Sequence, residues 1–587
     1  MHYCRDMTTR AGFLLLAALA AGVRAEPAPG PAADGRYVKW ERDAVMVEVH
    51  RSMRLVAPEN SLAAARECYL AGGDAIDCDV RCTLDGVVIC FHDADPSRRG
   101  SAMFYGLPQL TWAEVRTVLI EPLSYPGSGQ TIPRFEDILR CAIANNMAIY
   151  IDAKESAGRS GADALTRRYG ASHLARMPNW PLVYYWTSRA DHDLVQLGRL
   201  MGPGTFQDLR GKAAVTLAEG QQRSFRVDDP RILVSLLGRK PAARGPWRDA
   251  VPERPPSVGA NQRSAESLQK ALPEGGRAAR LAAAELCARF PDQAAAFAAS
   301  TLNDQTSLPP ARAECLWMLG QLGSPASAPA LKAHLASKDA RQRELAAYGL
   351  GRLAHEGALE DLLGRLGDDD SMAAAAAAWA VWRIGRPQSA EAVVRALDHR
   401  LSAPRDGDEQ AVRMLLLAAG GLRAAAAVET IGRRIADKAQ ATNVNMAIAS
   451  LGAIGGREAV AAARNLFAAH GRAADGHTFC RAMAAAGQAG TPQLASALAG
   501  EDSRVVMDAT LTLPRVPDAV KVLAPLVAGG RLSAAARLRV IAVLVLRPDA
   551  EAESLLKTLS RDADASVADQ ARRALTARGG SPPNRDQ

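Results

Sequence analysis

The second half of this chain repeats itself, and that periodicity limits its fold more than any other feature. The segments ARAECLWMLGQLG (Ala311 to Gly323), RQRELAAYGLGRLA (Arg341 to Ala354) and SMAAAAAAWAVWRIG (Ser371 to Gly385) are each followed by a second helical stretch: SAPALKAHLAS, GALEDLLGRLG and SAEAVVRALDHRL respectively. Helix-end anchors at Gly323, Ala354, Gly385, Gly421, Gly455 and Gly490 are spaced by 31, 31, 36, 34 and 35 residues. A period of this length belongs to stacked helix pairs. One amphipathic helix cannot bury its own apolar face, whereas a stack buries it continuously and leaves a long exposed surface. Alanine is dense here and aromatics are only 5% of the whole chain, so small side chains fill the space between helices. The expectation is an all-α solenoid over residues 263–579. Its exposed surface would serve a protein partner or act as a stabilising spacer.

The first half follows a different rule. Short β-branched runs (Val45 to Val49, Ala75 to Val80, Val87 to Phe91, Met147 to Ile151 and Leu182 to Trp186) alternate with helical stretches, as in an α/β domain with a parallel sheet. This places an α/β domain at residues 40–239. The aperiodic stretch KPAARGPWRDAVPERPPSVGAN, rich in Pro, Gly and Arg, marks a linker at 240–262. A chain of 587 residues is too long for one small domain, and its 48% apolar content supplies ample core material, so the reading is multidomain. The repeat units resemble short bacterial HEAT-like repeats, a likeness that implies architecture and names no partner.

Chemistry concentrates at the ends of the first-half strands. The first ends in Val49-His50-Arg51 and is followed by Pro58-Glu59-Asn60-Ser61, which opens a helix. The second reads Ile76-Asp77-Cys78-Asp79, and the period of two along a strand puts both carboxylates on one face, where they repel unless a cation lies between them. After the turn Leu84-Asp85-Gly86 the third strand leads to His92, and the fourth reads Ile151-Asp152-Ala153-Lys154. In a barrel of alternating strands and helices, the C-terminal strand ends are where active sites assemble. The oxygen-only set Asp77, Asp79 and Asp152 suits Ca²⁺ or Mg²⁺. Two histidines that titrate near neutrality suit proton transfer. Glu48 shares a strand face with His50, as a further interior carboxylate or a salt-bridge partner.

The runs VHR…APENSLAA, DAIDCDVRCTLDGVVICFHD, LTWAEV, IPRFEDIL and IDAK resemble the glycerophosphodiester phosphodiesterase family of the phosphoinositide-phospholipase-C-like barrels. That resemblance implies a TIM-like barrel and metal-dependent hydrolysis of a small-molecule glycerophosphodiester to glycerol 3-phosphate and an alcohol. It implies His50 and His92 as the acid and base, Asp77, Asp79 and Asp152 as metal ligands, and Arg51 and Lys154 as phosphate contacts. Ser52 stands where the family usually has Gly, in a turn that glycine suits. Asp77 and Asp152 stand where Glu is frequent. Residues 155–226 must supply the remaining β/α units, with Ala213 to Leu217 as a further strand candidate and Val227-Asp228-Asp229 resembling the family's last strand, so the barrel is expected to be short in its second half. Two rival readings keep the same residues: an inactive barrel heading an interaction protein, and a phosphodiesterase for phospholipid head groups.

Composition narrows the setting. Lys and Arg total 71 against 63 Asp and Glu, a net charge of +8 without basic clusters or interleaved aromatics, which argues against nucleic acid as a partner. Residues 1–25 combine basic His2, Arg5 and Arg10, an apolar run from Ala11 to Val23 and the small-x-small end Val23-Arg24-Ala25, the pattern of a signal peptide. The expected location is exported, periplasmic or extracellular, with no stable membrane span. Eight cysteines after Cys4 are too sparse for a disulfide framework, though one or two bonds fit. Cys78 and Cys82 lack a second ligand pair for zinc. His355, His399, His470 and His477 read as surface or packing residues.

Overall fold

The computed structural model describes residues 46–54, 56–98, 106–171, 174–176, 224–227, 230–231, 234, 245–253, 263–500, 503–530 and 532–577. The chain divides into two compact units, each assembled from separate stretches of sequence. One takes its described residues from 1–80, 135–254 and 491–587, the other from 81–134 and 255–490.

Six strands are defined: β1 (Met46–Val49), β2 (Ala75–Cys82), β3 (Val88–Cys90), β4 (Ala148–Ala153), β5 (Ala175–Arg176) and β6 (Ser224–Val227). The sheet of the first unit runs β5-β4-β2-β1-β6, with β3 off this path. Its pairings β1 with β2, β1 with β6, β2 with β4 and β4 with β5 are all parallel. Val47, Val49, Ile76, Cys78, Ile149 and Ile151 are fully buried, as expected of parallel strands covered on both faces. The polar breaks in that apolar pattern, Glu48, Asp77 and Asp79, are buried as well.

Local chemistry sets the helix starts. The helix Leu62–Leu70 begins where Ser61 caps it by accepting from Ala64 N, and Phe135–Ala144 and Ser156–Arg168 follow the same β-then-α rhythm. Gly73 permits the turn into β2: a Cβ there would lie 2.6 Å from both Cys68 Sγ and Val49 Cγ2. The sheet order differs from a simple succession of staves. β2 pairs directly with β4, so β3 and the His92 that follows it are not interposed between them. Leu182 to Trp186, Ala213 to Leu217 and Asp228-Asp229 lie outside the described residues, as do residues 1–25 and most of 240–262. β6, ending at Val227, pairs with β1 from Met46↔Ser224 to Val49↔Val227. The helices Thr491–Ala499 to Ala565–Ala577 also belong to this unit.

The second unit contains helices at Pro309–Leu322, Ala340–Arg352, Ser371–Ile384, Glu409–Gly421, Val444–Ile454 and Gly476–Ala485. Each is followed by a second helix, such as Ala328–His334 or Ala390–Ser402, and the array fits a solenoid. The leading helices are buried nearly all round: every residue from Ala373 to Val381 is buried. Small residues let the backbones close up. A Cβ on Gly320 would come within 2.8 Å of Gly349 Cα, and one on Gly452 within 2.5 Å of Ala482 Cα. Gly323, Ala354, Gly385 and Gly455 take positive φ just after their helices, as the anchor spacing predicts. Gly421 and Gly490 do not, and positive φ falls instead on Arg423 and Gly487. His470 Nε2 donates to Ile435 O at 2.6 Å, a packing role.

Residues 81–134 build their own small core in this unit, from Ile89, Phe91, Leu107, Leu110, Val115, Val118, Ile120 and Ile132. The short helix Trp112–Val115 is closed by a capping box between Thr111 and Glu114. This segment lies along the leading helices of the array. Arg277 Nη2 donates to Leu84 O at 2.9 Å, Arg352 Nη1 to Thr117 Oγ1 at 2.9 Å, and the Arg481 guanidinium stacks 4.9 Å from the Tyr125 ring. A Cβ on Gly420 would meet Leu123 Cδ1 at 2.9 Å. Part of the surface that the sequence left open for a partner is therefore covered by the chain itself.

None of the eight described cysteines is disulfide-bonded. No helix among the described residues is long and apolar enough to cross a membrane.

Candidate active site

The first unit gathers its charged side chains where β1, β2 and β4 end. Asp79 on β2 lies opposite Asp152 on β4 in the parallel register, and Asp77 lies opposite Tyr150. Lys154 Nζ sits between the two facing carboxylates, 2.7 Å from Asp79 Oδ1 and 2.6 Å from Asp152 Oδ2. Asp79 Oδ2 accepts from Asn60 Nδ2 at 2.9 Å and lies 3.4 Å from Arg51 Nε. Asn60 also accepts from Asp79 N through its side-chain oxygen at 3.0 Å, so one amide clasps the aspartate at both backbone and side chain. Arg51 Nη1 donates to Glu59 Oε1 and Oε2 at 3.1 and 3.0 Å.

Burial alone would raise the Asp79 carboxyl, but Arg51 and Lys154 outweigh it and hold the group below the usual carboxylate range. Burial likewise works to lower Lys154, and Asp79 and Asp152 outweigh it, leaving the ammonium above its ordinary value. Both partners are thus held in their charged forms.

The loop after β1 is tightly wound. Arg51, Ser52 and Met53 have φ of 51°, 58° and 66°, a run of left-handed residues without a glycine. Ser52 is fully buried and donates from Oγ to Asp77 O at 3.3 Å, which ties this turn to β2. Asn60 N donates to Arg51 O at 3.1 Å and closes the loop from the other side. The conformation brings Arg51 back over the end of β2. Non-glycine residues in this region cost on the order of 1–3 kcal/mol each and persist where surrounding contacts enforce them.

His92 belongs to the second unit. Its carbonyl accepts from Arg81 Nε and Nη2 at 3.0 and 2.8 Å, and its ring Nδ1 lies 2.7 Å from Asp93 Oδ1. A carboxylate at that distance accepts the Nδ1–H bond and leaves Nε2 as the nitrogen that can take up a proton. His50 follows β1 directly and is half-buried.

The structure therefore brings Arg51, Asp79, Asp152 and Lys154 together, with Asp77 at 0% exposure on the same strand as Asp79. Glu59, Asn60 and Asp93 were not singled out by the sequence. Their signal was the run Pro58-Glu59-Asn60, read only as a helix start, and the His92-Asp93 pair.

As metal donors, Asp77, Asp79 and Asp152 offer oxygen alone, which fits a hard cation. Asp79 and Asp152 converge on one positive centre, the Lys154 ammonium. Among the described residues no three His, Cys, Asp or Glu side chains stand together as a ready-made metal cage.

Residues 50–171, which include every one of these side chains, match the Glycerophosphoryl diester phosphodiesterase family. The chain carries a glycerophosphoryl diester phosphodiesterase family domain. This phosphodiesterase domain is similar to the "Probable glycerophosphodiester phosphodiesterase 2" of Mycobacterium tuberculosis, 28% identical over 215 residues, 31% of this chain and 78% of that protein. It is 30% identical over 139 residues to Glycerophosphodiester phosphodiesterase 1 of Rattus norvegicus, covering 23% of this chain and only 41% of that relative. Among solved structures, a putative glycerophosphoryl diester phosphodiesterase from Silicibacter pomeroyi aligns with a TM-score of 0.25 at 18% identity, over 33% of this chain and 92% of that one. The relatives named glycerophosphodiester phosphodiesterase belong to a family of phosphoric diester hydrolases. The phosphodiesterase domain is TIM-barrel-like with a parallel sheet, and a large all-helical region follows it.

Proposed function

We propose that the protein is a divalent-cation-dependent phosphodiesterase that hydrolyses glycerophosphodiesters to glycerol 3-phosphate and an alcohol. The observation that supports this reading best is the cluster of Arg51, Asp79, Asp152 and Lys154 at the C-terminal ends of parallel strands inside the matched domain. Phosphoryl chemistry rewards positioning and charge neutralisation above all. Arg51, its Nη1 held by Glu59 and its Nε 3.4 Å from Asp79, keeps Nη2 for a phosphate oxygen. Lys154 supplies a point charge that can turn from the carboxylates to substrate.

Asp77, Asp79 and Asp152 would hold Ca²⁺ or Mg²⁺, which neutralises charge on the phosphoryl oxygens when bound. His50 and His92 share the proton work. One takes the proton of the attacking hydroxyl or water as its oxygen bonds to phosphorus, and the other protonates the alkoxide released when the ester P–O bond breaks. Asp93 holds His92 in the tautomer that leaves Nε2 available.

The sequence of residues 1–25 supports export, and the helical array adds a HEAT-like arm to the enzyme. Glycerol 3-phosphate release from glycerophosphocholine and glycerophosphoethanolamine, with Ca²⁺ or Mg²⁺ and with chelator, tests the reading. Cation-dependent release that is lost in Asp79→Ala and His50→Ala is the expected result. A folded protein that releases nothing from these substrates, or whose release ignores chelator, overturns it. Release only from phospholipids would move the substrate to a membrane head group.

A further inference from the structure

The loop that follows β3 carries His92 and is anchored from two directions. On its own segment, Arg81 holds the His92 carbonyl and Asp93 holds the ring. Three residues beyond His92, Asp95 Oδ1 accepts from Ser97 N at 2.9 Å and Ser97 Oγ at 2.6 Å, which folds the loop back on itself. The other face of this turn meets Arg413, on the helix Glu409–Gly421 of the helical array. Arg413 Nη1 donates to Asp95 Oδ2 at 3.0 Å and to Ser97 Oγ at 2.6 Å. Gln410 Oε1, one turn earlier on that helix, lies 3.3 Å from Ser97 Oγ. Arg413 is 5% exposed and Ser97 is fully buried. A charge-assisted bond in such a setting is among the strong ones, and it persists through fluctuations that would open a surface pair.

We propose that Arg413 is a positioning residue for His92, so that the helical array is a working part of the hydrolase. This rests on the reading above, in which His92 transfers the proton. Arg413 acts through Asp95 and Ser97, fixing the backbone from which the imidazole projects; displacement of a reacting group by about 1 Å costs on the order of a hundredfold in rate. The array thus does from within one chain what a separate activating subunit would do from outside. It also explains why Arg413, in the middle of a helix of otherwise apolar buried residues, is charged.

The test uses the full chain, comparing wild type with Arg413→Ala, Arg413→Lys and, as a control on an exposed helix face, Arg395→Ala. Glycerophosphocholine turnover is measured together with amide hydrogen exchange over residues 92–97. In Arg413→Ala, kcat is expected to fall about 10- to 100-fold with KM changed by less than about threefold. Exchange across 92–97 rises, and thermal melting shows the chain still folded. Arg413→Lys keeps the charge but loses the fork, and restores part of both readouts. Arg395→Ala changes neither. Unaltered exchange and kcat in Arg413→Ala overturn the proposal, as does a loss confined to KM. Raised exchange in a protein whose wild type has no turnover overturns the hydrolase reading and the catalytic role with it, while retaining the anchor.

Discussion

Trp317 donates its indole N–H to Glu114 Oε1 at 2.8 Å, while Glu114 Oε2 accepts from Thr111 N at 2.8 Å and Thr111 Oγ1 at 2.9 Å. One carboxylate thus caps a short helix in segment 81–134 and binds the helical array. Arg280 lies 3.4 Å from the same Oε1, pairs with Glu314 at 2.6 Å, and stacks 4.6 Å from the Trp317 ring. Removing Glu114 strands the buried Trp317 indole N–H and the Thr111 N–H and takes one of two carboxylates from Arg280. Glu114→Ala is expected to destabilise the fold by about 3–5 kcal/mol, and Trp317→Phe by about 1.5–3 kcal/mol, the worth of one hydrogen bond to a charged group. Thermal or urea unfolding of the full chain checks the order of the two.

The Asp79–Lys154 pair gives a pH signature. Asp79 has its folded pKa lowered, so its contribution is present above the ordinary carboxylate value of about 3.9 and is lost as pH falls through the lower folded value. Lys154 has its folded pKa raised, so its contribution is present below about 10.4 and is lost as pH rises through the higher folded value. The melting-temperature gap between wild type and Asp79→Asn is therefore expected to be flat from about pH 5 to about pH 9 and to shrink at both extremes. A gap that grows toward acid would contradict the pairing.

Ser52 sits at φ 58°. Ser52→Gly relieves the left-handed backbone and gives up the bond to Asp77 O, and we expect stability within about 1 kcal/mol of wild type. Ser52→Val places a β-branched residue in the same strained turn and is expected to cost about 1–3 kcal/mol. Melting curves of the two variants separate these outcomes.

Two glycines of the array should respond to the same substitution with opposite signs. Gly452→Ala would place a methyl 2.5 Å from Ala482 Cα and should cost about 1–3 kcal/mol. At Gly364 an added methyl would enter open space, with nothing within 4 Å, and Gly364→Ala should stabilise by about 0.4–1 kcal/mol. Equal effects would refute the close helix contact.

Burial pushes the thiols of Cys287 and Cys315 up to about 12. Both should resist iodoacetamide at about pH 8 in the native chain and react once it is unfolded. Peptide mapping after labelling reads this directly.

Much of this architecture was legible from local pattern. Val47 and Val49 flanking Glu48, the pair Asp77 and Asp79, and the run ending in Lys154 announce parallel strands because period two and burial leave few other options. Helix pairs were equally plain, since glycine and alanine at fixed spacing mark both ends and contact faces. What the sequence hid is whatever depends on distant partners. Asn60 looks like a helix-start residue until Asp79 is placed beside it, and Glu59 looks solvated until it meets Arg51. Sheet order was also opaque: β3, next in sequence, pairs with β2 only off the main path, and β4 is the parallel neighbour that sets Asp79 opposite Asp152. Arg413 could not be chosen from among the many arginines of the array, because its significance lies in a loop more than three hundred residues earlier.

That separation also sets a timetable. Glu114 is 166 residues from Arg280, and Ser97 is 316 residues from Arg413. At about 5–20 residues per second, the counterparts of segment 81–134 leave the ribosome roughly ten seconds to a minute after it does. Throughout that interval the nascent chain holds Leu84, Leu123 and Tyr125 without the helices that will meet them, and closing such long loops slows the final step. Birth of this protein is thus a sequence of waiting and late closure, in which the histidine-bearing loop is among the first parts made and among the last to be secured.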